Sequence, residues 1–331
     1  MLTGWYPQFS KNRPLTAQEE TDHLPFGRKQ DVIPEDGVGL IHFNSTWMEF
    51  VDRGFKIKGS SATLAFLFCE LIVLGAFFGG IFLAVRSTQE FSVATYVILA
   101  AGEGTFLFLA YFVWKNLLRF DLFAYTHNPV RFNRKTGKIH VFRHNGPGGV
   151  LSMPWNDASL YFHIGHGMQN KALRDLRCHV LDASQSVQDT FTVGHSTDED
   201  LRIREQWEFI RRYMEQGPAH VVDDPLDGVI TLSLKSSWKN CYMWVCFALG
   251  QSLFPMRHVL FPLYGALTLT RWLSFKTCKE PVWPTDIQAE GAMEPGDPHH
   301  WPEPEFMGAF AEDDAIYQRA VRRNELRKPR P

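Results

Sequence analysis

Two long apolar runs stand out in an otherwise polar chain, and behind them the spacing of the apolar positions changes twice. Ala62 to Val85 is 24 residues with one charge, Glu70, and Val93 to Trp114 is 22 residues with one charge, Glu103. At about 1.5 Å of rise per residue, either run reaches across a hydrocarbon core of roughly 30 Å. Neither shows the amphipathic face of a helix packed on a soluble core. The connecting "RSTQEFS" is too short for a domain, so the pattern predicts an antiparallel hairpin of helices 62–85 and 93–114.

After residue 120 the period shortens. "FAYTHNPVRFNRKTGKIHVFRH" reads as strand, turn, strand, with the turn at Lys135-Thr136-Gly137. "GVLSMPW", "SLYFHIG", "RCHVLDA" and "DTFTVGH" are further strands, each bounded by turn-forming residues. The spacing then becomes helical over 197–216, with Ile203, Trp207, Ile210 and Met214 on one face. Ser196 and Glu199 stand at capping-box spacing, and Gly217-Pro218 ends the helix. The expected fold is membrane α+β: a transmembrane hairpin followed by a cytoplasmic, pleckstrin-homology-like antiparallel β-roll with a C-terminal helix.

The pattern divides the chain into a cytoplasmic N-terminal segment (1–61), the hairpin (62–114) and a β-rich domain (120–217). An apolar region (218–285) and a Pro-rich segment with a terminal helix (286–331) follow. Within the apolar region, "CYMWVCFALGQSLFPM" and "VLFPLYGALTLT" are each too short to span, and Pro255 and Pro262 would kink a continuous helix. An interfacial or re-entrant element is the first reading; a buried core or an extra pair of membrane helices are the alternatives. "EDDAIYQRAVRRNELRK" has acid first and base last, as a helix dipole prefers, and serves as a partner-binding tail or a solvated terminal helix.

Charge sets the expected topology. Arg53, Lys56 and Lys58 precede the first helix and Lys115, Arg119, Arg131 and Arg134 follow the second, whereas the short loop holds only Arg86. The positive-inside rule then places both termini in the cytoplasm of a multi-pass inner-membrane protein. The polar first sixty residues carry no secretory signal. The "NST" sequon at Asn44 stays in the cytosol on this topology. With a net charge of -2 and no basic face, nothing points to nucleic acid. The five cysteines are scattered and form no Cys-x-x-Cys pair, which fits a reducing compartment.

Candidate chemistry is sparse. Counted from the cytoplasmic ends, Glu70 and Glu103 fall within about 5 Å of each other in depth. Such acids face protein or water, as a proton or ion path or as a hydrogen-bonded seam. Gly75 and Gly79, with Ala100 and Gly104, are the expected helix-packing positions. No nucleophile elbow, P-loop, dinucleotide fingerprint or His-Glu-x-x-His motif is present, so no catalytic residue is assigned. His163, His166 and His179, with His195 nearby, are weak metal candidates against ordinary loop histidines. Residues three apart on a strand face opposite ways, which separates His163 from His166. No cofactor is expected.

"HLPFGRKQDVIPEDGVGLIHFNSTWMEF", the hairpin, "PVRFNRKTGKIHVFR" and "MPWNDASLYF" together resemble a family of uncharacterised bacterial inner-membrane proteins whose genes lie near type VI secretion effector clusters. The resemblance covers roughly residues 20–285 and carries no catalytic residue. It implies a location and a neighbourhood, with a lipid bilayer, the protein product of an adjacent gene and a second copy of the chain as partners. Three functions compete: a non-enzymatic accessory or immunity protein with a protein-binding cytosolic domain, an oligomeric membrane-active toxin or channel using Glu70 and Glu103, and a membrane-tethered enzyme.

Overall fold

The computed structural model describes residues 9–87, 92–167, 170–250 and 253–327. In chain order its elements are β1 (Arg13–Pro14), α1 (Ala17–Thr21), β2 (Leu40–Phe43), β3 (Trp47–Phe50), α2 (Gly54–Ile57), α3 (Ser61–Arg86) and α4 (Val93–Asn116). Then come β4 (Val130–Asn133), β5 (Lys138–Phe142), β6 (Val150–Pro154), β7 (Leu160–His166), β8 (Arg174–Leu181) and β9 (Ser186–Thr197). The helices α5 (Asp200–Gln216), α6 (Trp238–Leu249), α7 (Phe261–Thr277), α8 (Thr285–Glu290) and α9 (Asp314–Arg327) complete it. The chain forms two compact units, one from residues up to 57, 127–244 and 280 onward, the other from 58–126 and 245–279.

The first unit holds two antiparallel sheets, ordered β1-β9-β8-β7 and β2-β3-β4-β5-β6. Residues 40–50, read from the sequence as part of a separate N-terminal segment, supply two strands of the second sheet. Phe50 pairs with Val130, so the long helices α3 and α4 are an insertion between two hydrogen-bonded neighbours. Local sequence could not reveal this, because the pairing partner lies beyond the whole hairpin.

Alternation along the strands gives each sheet one apolar face. Phe132, Ile139, Phe162, Ile164, Leu176 and Val193 are among those that meet in a single core with Trp207 and Ile210 of α5. Trp207 is fully buried, packing 4.7 Å from Phe162 and 5.7 Å from Trp155. The expected apolar face of α5 is thus present, and Gly217 at φ 101° ends the helix. Its N-terminus differs from the expected capping box: α5 starts at Asp200, its cap residue Glu199 makes no side-chain cap bond, and Thr197 accepts from the Glu199 N–H instead.

The outer face of the second sheet is polar and strapped. Arg131 pairs with Glu49 and lies between the rings of Trp47 and Trp283, 4.1 and 4.8 Å from their centroids. At the β2 edge of the same sheet Trp301 stacks on the core residue Phe43 at 3.9 Å, and its backbone N–H donates to the Phe43 carbonyl. The Pro-rich segment is therefore a cover bound through aromatic and charged contacts. The terminal helix α9 is tied down too, by Arg319 to Asp227 and Arg323 to Glu35.

In the second unit, α3 and α4 are long and apolar enough to cross a membrane, and their apolar windows are almost wholly uncovered. At their base Asp121 accepts from the Thr63 hydroxyl and the Gly59 N–H, and Lys58 donates to the Asp121 carbonyl. Gly59 has φ +66°, and a Cβ there would strike the Arg271 backbone of α7. Arg271, itself buried, donates to the Lys58 carbonyl at 2.7 Å. The opposite side of α7 leaves Phe261, Leu263, Leu269 and Leu273 exposed.

Two outcomes follow from these contacts. Trp207→Ala removes about 3–5 kcal/mol of stability, read from the denaturant midpoint of the full chain. Burial, opposed by Glu290 and reinforced by Arg131 and Lys138, lowers the His140 imidazole to about 4. The unfolded chain therefore takes up this proton first, and the His140 contribution is complete above about pH 6.5 and lost as pH falls toward 4. Urea midpoints measured across that window should fall with acidification, and His140→Gln should flatten the slope by up to about 1.4 kcal/mol per pH unit.

Candidate functional site

The outer face of the β7-β8-β9 sheet collects polar side chains because β7, β8 and β9 turn their apolar residues inward. His163 stands opposite Arg177, and His179 stands opposite Tyr161 and Thr190, all on this outer side. The N-terminal segment wraps over them. Arg13 pairs with Val187 of β9 at one edge, and the Leu24 N–H donates to the Phe162 carbonyl at the other. Between these edges sits α1, started by a capping box in which Thr16 and Glu19 bond each other's backbone.

That box aims Glu19 into the sheet. Glu19 Oε1 lies 3.0 Å from His179 Nε2, and both Glu19 oxygens accept from Arg13, at 2.6 and 2.8 Å. The other His179 nitrogen, Nδ1, is 2.7 Å from the Thr190 hydroxyl. The His163 ring lies 4.5 Å from the His179 ring, with its Nδ1 3.2 Å from the Ile164 carbonyl and its Nε2 buried without a partner among the described residues. One ligating atom each from Glu19, His163 and His179 fall within 4.8 Å of one another. Burial alone would raise the Glu19 carboxyl, but hydrogen bonds from His179 and Arg13 hold it well below the usual carboxylate range. Burial, with His179 and Arg177 nearby, lowers the His163 imidazole to about 3.

Of the sequence-level candidates, His163 and His179 come together and His166 does not. His166 Nε2 lies 2.8 Å from Asp22 and 3.0 Å from Gln18. His195 stands apart, stacked on Phe55 and edge-on to Trp244. Glu19 was the residue missed. Its only local signal is the capping-box spacing of "TAQE", which marks a helix start and says nothing of a strand more than a hundred residues away.

Beside the cluster, Asp175 is buried and pairs with Arg177 at 3.0 Å and Arg53 at 2.9 Å. Burial would raise its carboxyl, and the two guanidiniums lower it below the usual range instead. Gly165 leaves the room this pair occupies, since a Cβ there would strike both Asp175 and Arg177.

The single acids of α3 and α4 are arranged otherwise than their expected depth predicted. The Glu103 carboxylate lies against Gly80, where a Cβ would strike it. Gly80 is ten residues along α3 from Glu70, a rise of about 15 Å, so the two acids do not form a pair at one depth. One oxygen of each is buried without a hydrogen-bond partner among the described residues. A Cβ at Gly75, Gly79 or Gly104 would meet nothing within 4 Å, so these expected packing positions lie open and Gly80 marks the close approach. The structure gives Ala100 an exposed position on α4.

An α+β domain of two antiparallel sheets, interrupted by a pair of membrane-length helices, defines the class of protein. The chain belongs to DUF6708, a family of unknown function, whose model matches residues 106–295, from inside α4 through α8. No curated protein and no solved structure matches the chain.

Gly80→Val should cost about 1–3 kcal/mol by overpacking and Gly79→Val should cost little. Because the atom in the way belongs to a side chain, the cost should shrink when Glu103→Ala is added. Thermal unfolding in detergent of the unaltered protein, Gly79→Val, Gly80→Val, Glu103→Ala and the Gly80→Val/Glu103→Ala double variant checks this.

Proposed function

We propose that the chain is a non-enzymatic inner-membrane protein in which a transmembrane hairpin holds a protein-binding domain against the cytoplasmic face. The observation that supports this most is the bare apolar surface of α3 and α4, inserted between paired strands. Phe68, Leu71, Phe78, Leu83, Val97 and Phe108 are among the large apolar residues exposed on them. Water would leave that surface unpaid, whereas hydrocarbon matches it. Because the flanking strands pair, both ends of the insertion return to one place, which is natural for an even number of crossings.

The basic residues flanking the hairpin favour cytoplasmic termini. The antiparallel strands closed by α5 and its Trp207 are consistent with a pleckstrin-homology-like roll, a scaffold suited to holding peptides or proteins. The exposed apolar positions of α7 suit a helix lying in the membrane interface. An accessory or immunity role beside a type VI secretion effector rests on the family resemblance alone, and names the adjacent gene product as the partner. The channel reading draws less support, because Glu103 meets α3 at Gly80, about 15 Å along that helix from Glu70.

Topology reporters fused at the C-terminus test the anchor: a cytosolic reporter should be active and a periplasmic one silent. Capture of the adjacent gene product by the full-length protein, together with loss of protection against sister cells on gene deletion, tests the role. A periplasmic C-terminus removes the anchor reading, and unchanged survival removes the immunity reading.

A further inference from the structure

We propose that Glu19, His163 and His179 form a binding site for a divalent transition-metal ion, with zinc as the reference ion, that clamps the N-terminal segment onto the β7-β8-β9 sheet. Two imidazoles and one carboxylate are a donor set of zinc sites that keep a fourth position open. Such borderline nitrogen donors favour zinc, cobalt or nickel over calcium and magnesium, which take oxygen ligands.

The surroundings fit the assignment. A ligating histidine commonly donates its second ring nitrogen to an acceptor that fixes the tautomer. His179 Nδ1 has the Thr190 hydroxyl at 2.7 Å and His163 Nδ1 has the Ile164 carbonyl at 3.2 Å, which leaves Nε2 of each ring as the ligating atom. Both rings are essentially inaccessible, at 0% and 1% exposure, and the unpartnered His163 Nε2 is an orphan that an ion would satisfy. Donor atoms around a tetrahedral zinc stand about 3.4 Å apart. The observed spread reaches at most 4.8 Å, so uptake draws one contact inward, a movement within reach of the Glu19 side chain.

Arg13 is the opposing feature. It bonds both oxygens of Glu19, and its charge weakens ion binding relative to a carboxylate with no cation beside it. A carboxylate offers about four lone-pair sites, so Arg13 stays as an outer partner while the ion replaces the hydrogen bond between Glu19 and His179. The ion would therefore join the Glu19 side chain to two strands of the sheet through both histidines, where its hydrogen bond to His179 reaches one strand otherwise.

The test uses the full chain purified in detergent and freed of metal by a chelator. Zinc chloride should bind one ion per chain and raise the thermal midpoint, and cobalt chloride should give the visible absorption of a tetrahedral site. Calcium and magnesium chlorides should do neither. His163→Gln and Glu19→Gln should each weaken zinc binding by at least about tenfold, and Thr190→Val by about 10- to 100-fold through the outer shell. His166→Gln should bind as the unaltered protein does. Unfolding curves in chelator report whether each variant still folds, and Thr190→Val carries the test if a ligand variant does not. Absence of uptake, or uptake unchanged in the folded variants, overturns the proposal.

Discussion

The pairing of β3 with β4 is the constraint on which the rest of the domain depends. Phe50 and Val130 are neighbours in one sheet although α3 and α4 lie between them in the chain. Closing so long a loop costs entropy before any strand contact repays it. A helical hairpin lowers that cost, since two antiparallel helices bring their own ends together. Formation of the hairpin and assembly of the second sheet are therefore coupled, and a hairpin that failed to form would leave the β2-β3 pair without β4.

The two sheets solve the same problem twice. Each turns an apolar face to the common core and a polar face outward, and each polar face is covered by a distant piece of chain. On one it is the N-terminal segment, bringing Arg13 and Glu19; on the other it is the stretch from Trp283 onward, bringing Trp283 and Glu290. Covering polar residues removes them from water, a cost of several kcal/mol per uncompensated ion. The paired groups Glu49 with Arg131 on one sheet and Asp175 with Arg53 and Arg177 on the other offset it. Where the pairing is incomplete, as at His163 Nε2, the remaining atom is a place for chemistry.

The long helices follow a different rule. Their outward residues are apolar and uncovered, and their single acids are the exceptions to be housed. Glu103 is housed by the absence of a side chain at Gly80, which lets the carboxylate approach the neighbouring backbone. The glycines spaced as a packing motif, Gly75 and Gly79, point away from any contact.

The long apolar runs, the short strands after residue 120 and the apolar face of α5 were legible in the sequence because each is a repeat of local spacing. A helix or strand writes its burial at every third or second residue, and an unbroken apolar run shows itself as length. The site was only half legible: His163 and His179 stood in adjacent strand patterns, but Glu19 and the cover that carries it did not. Residues 1–61 looked like a separate segment because no local signal announces that β3 must pair with β4 across an insertion. Register across long separations, the side of α3 that meets α4, and the convergence of Glu19 on two histidines were decided by tertiary packing alone, since each depends on how distant surfaces fit rather than on any spacing along the chain.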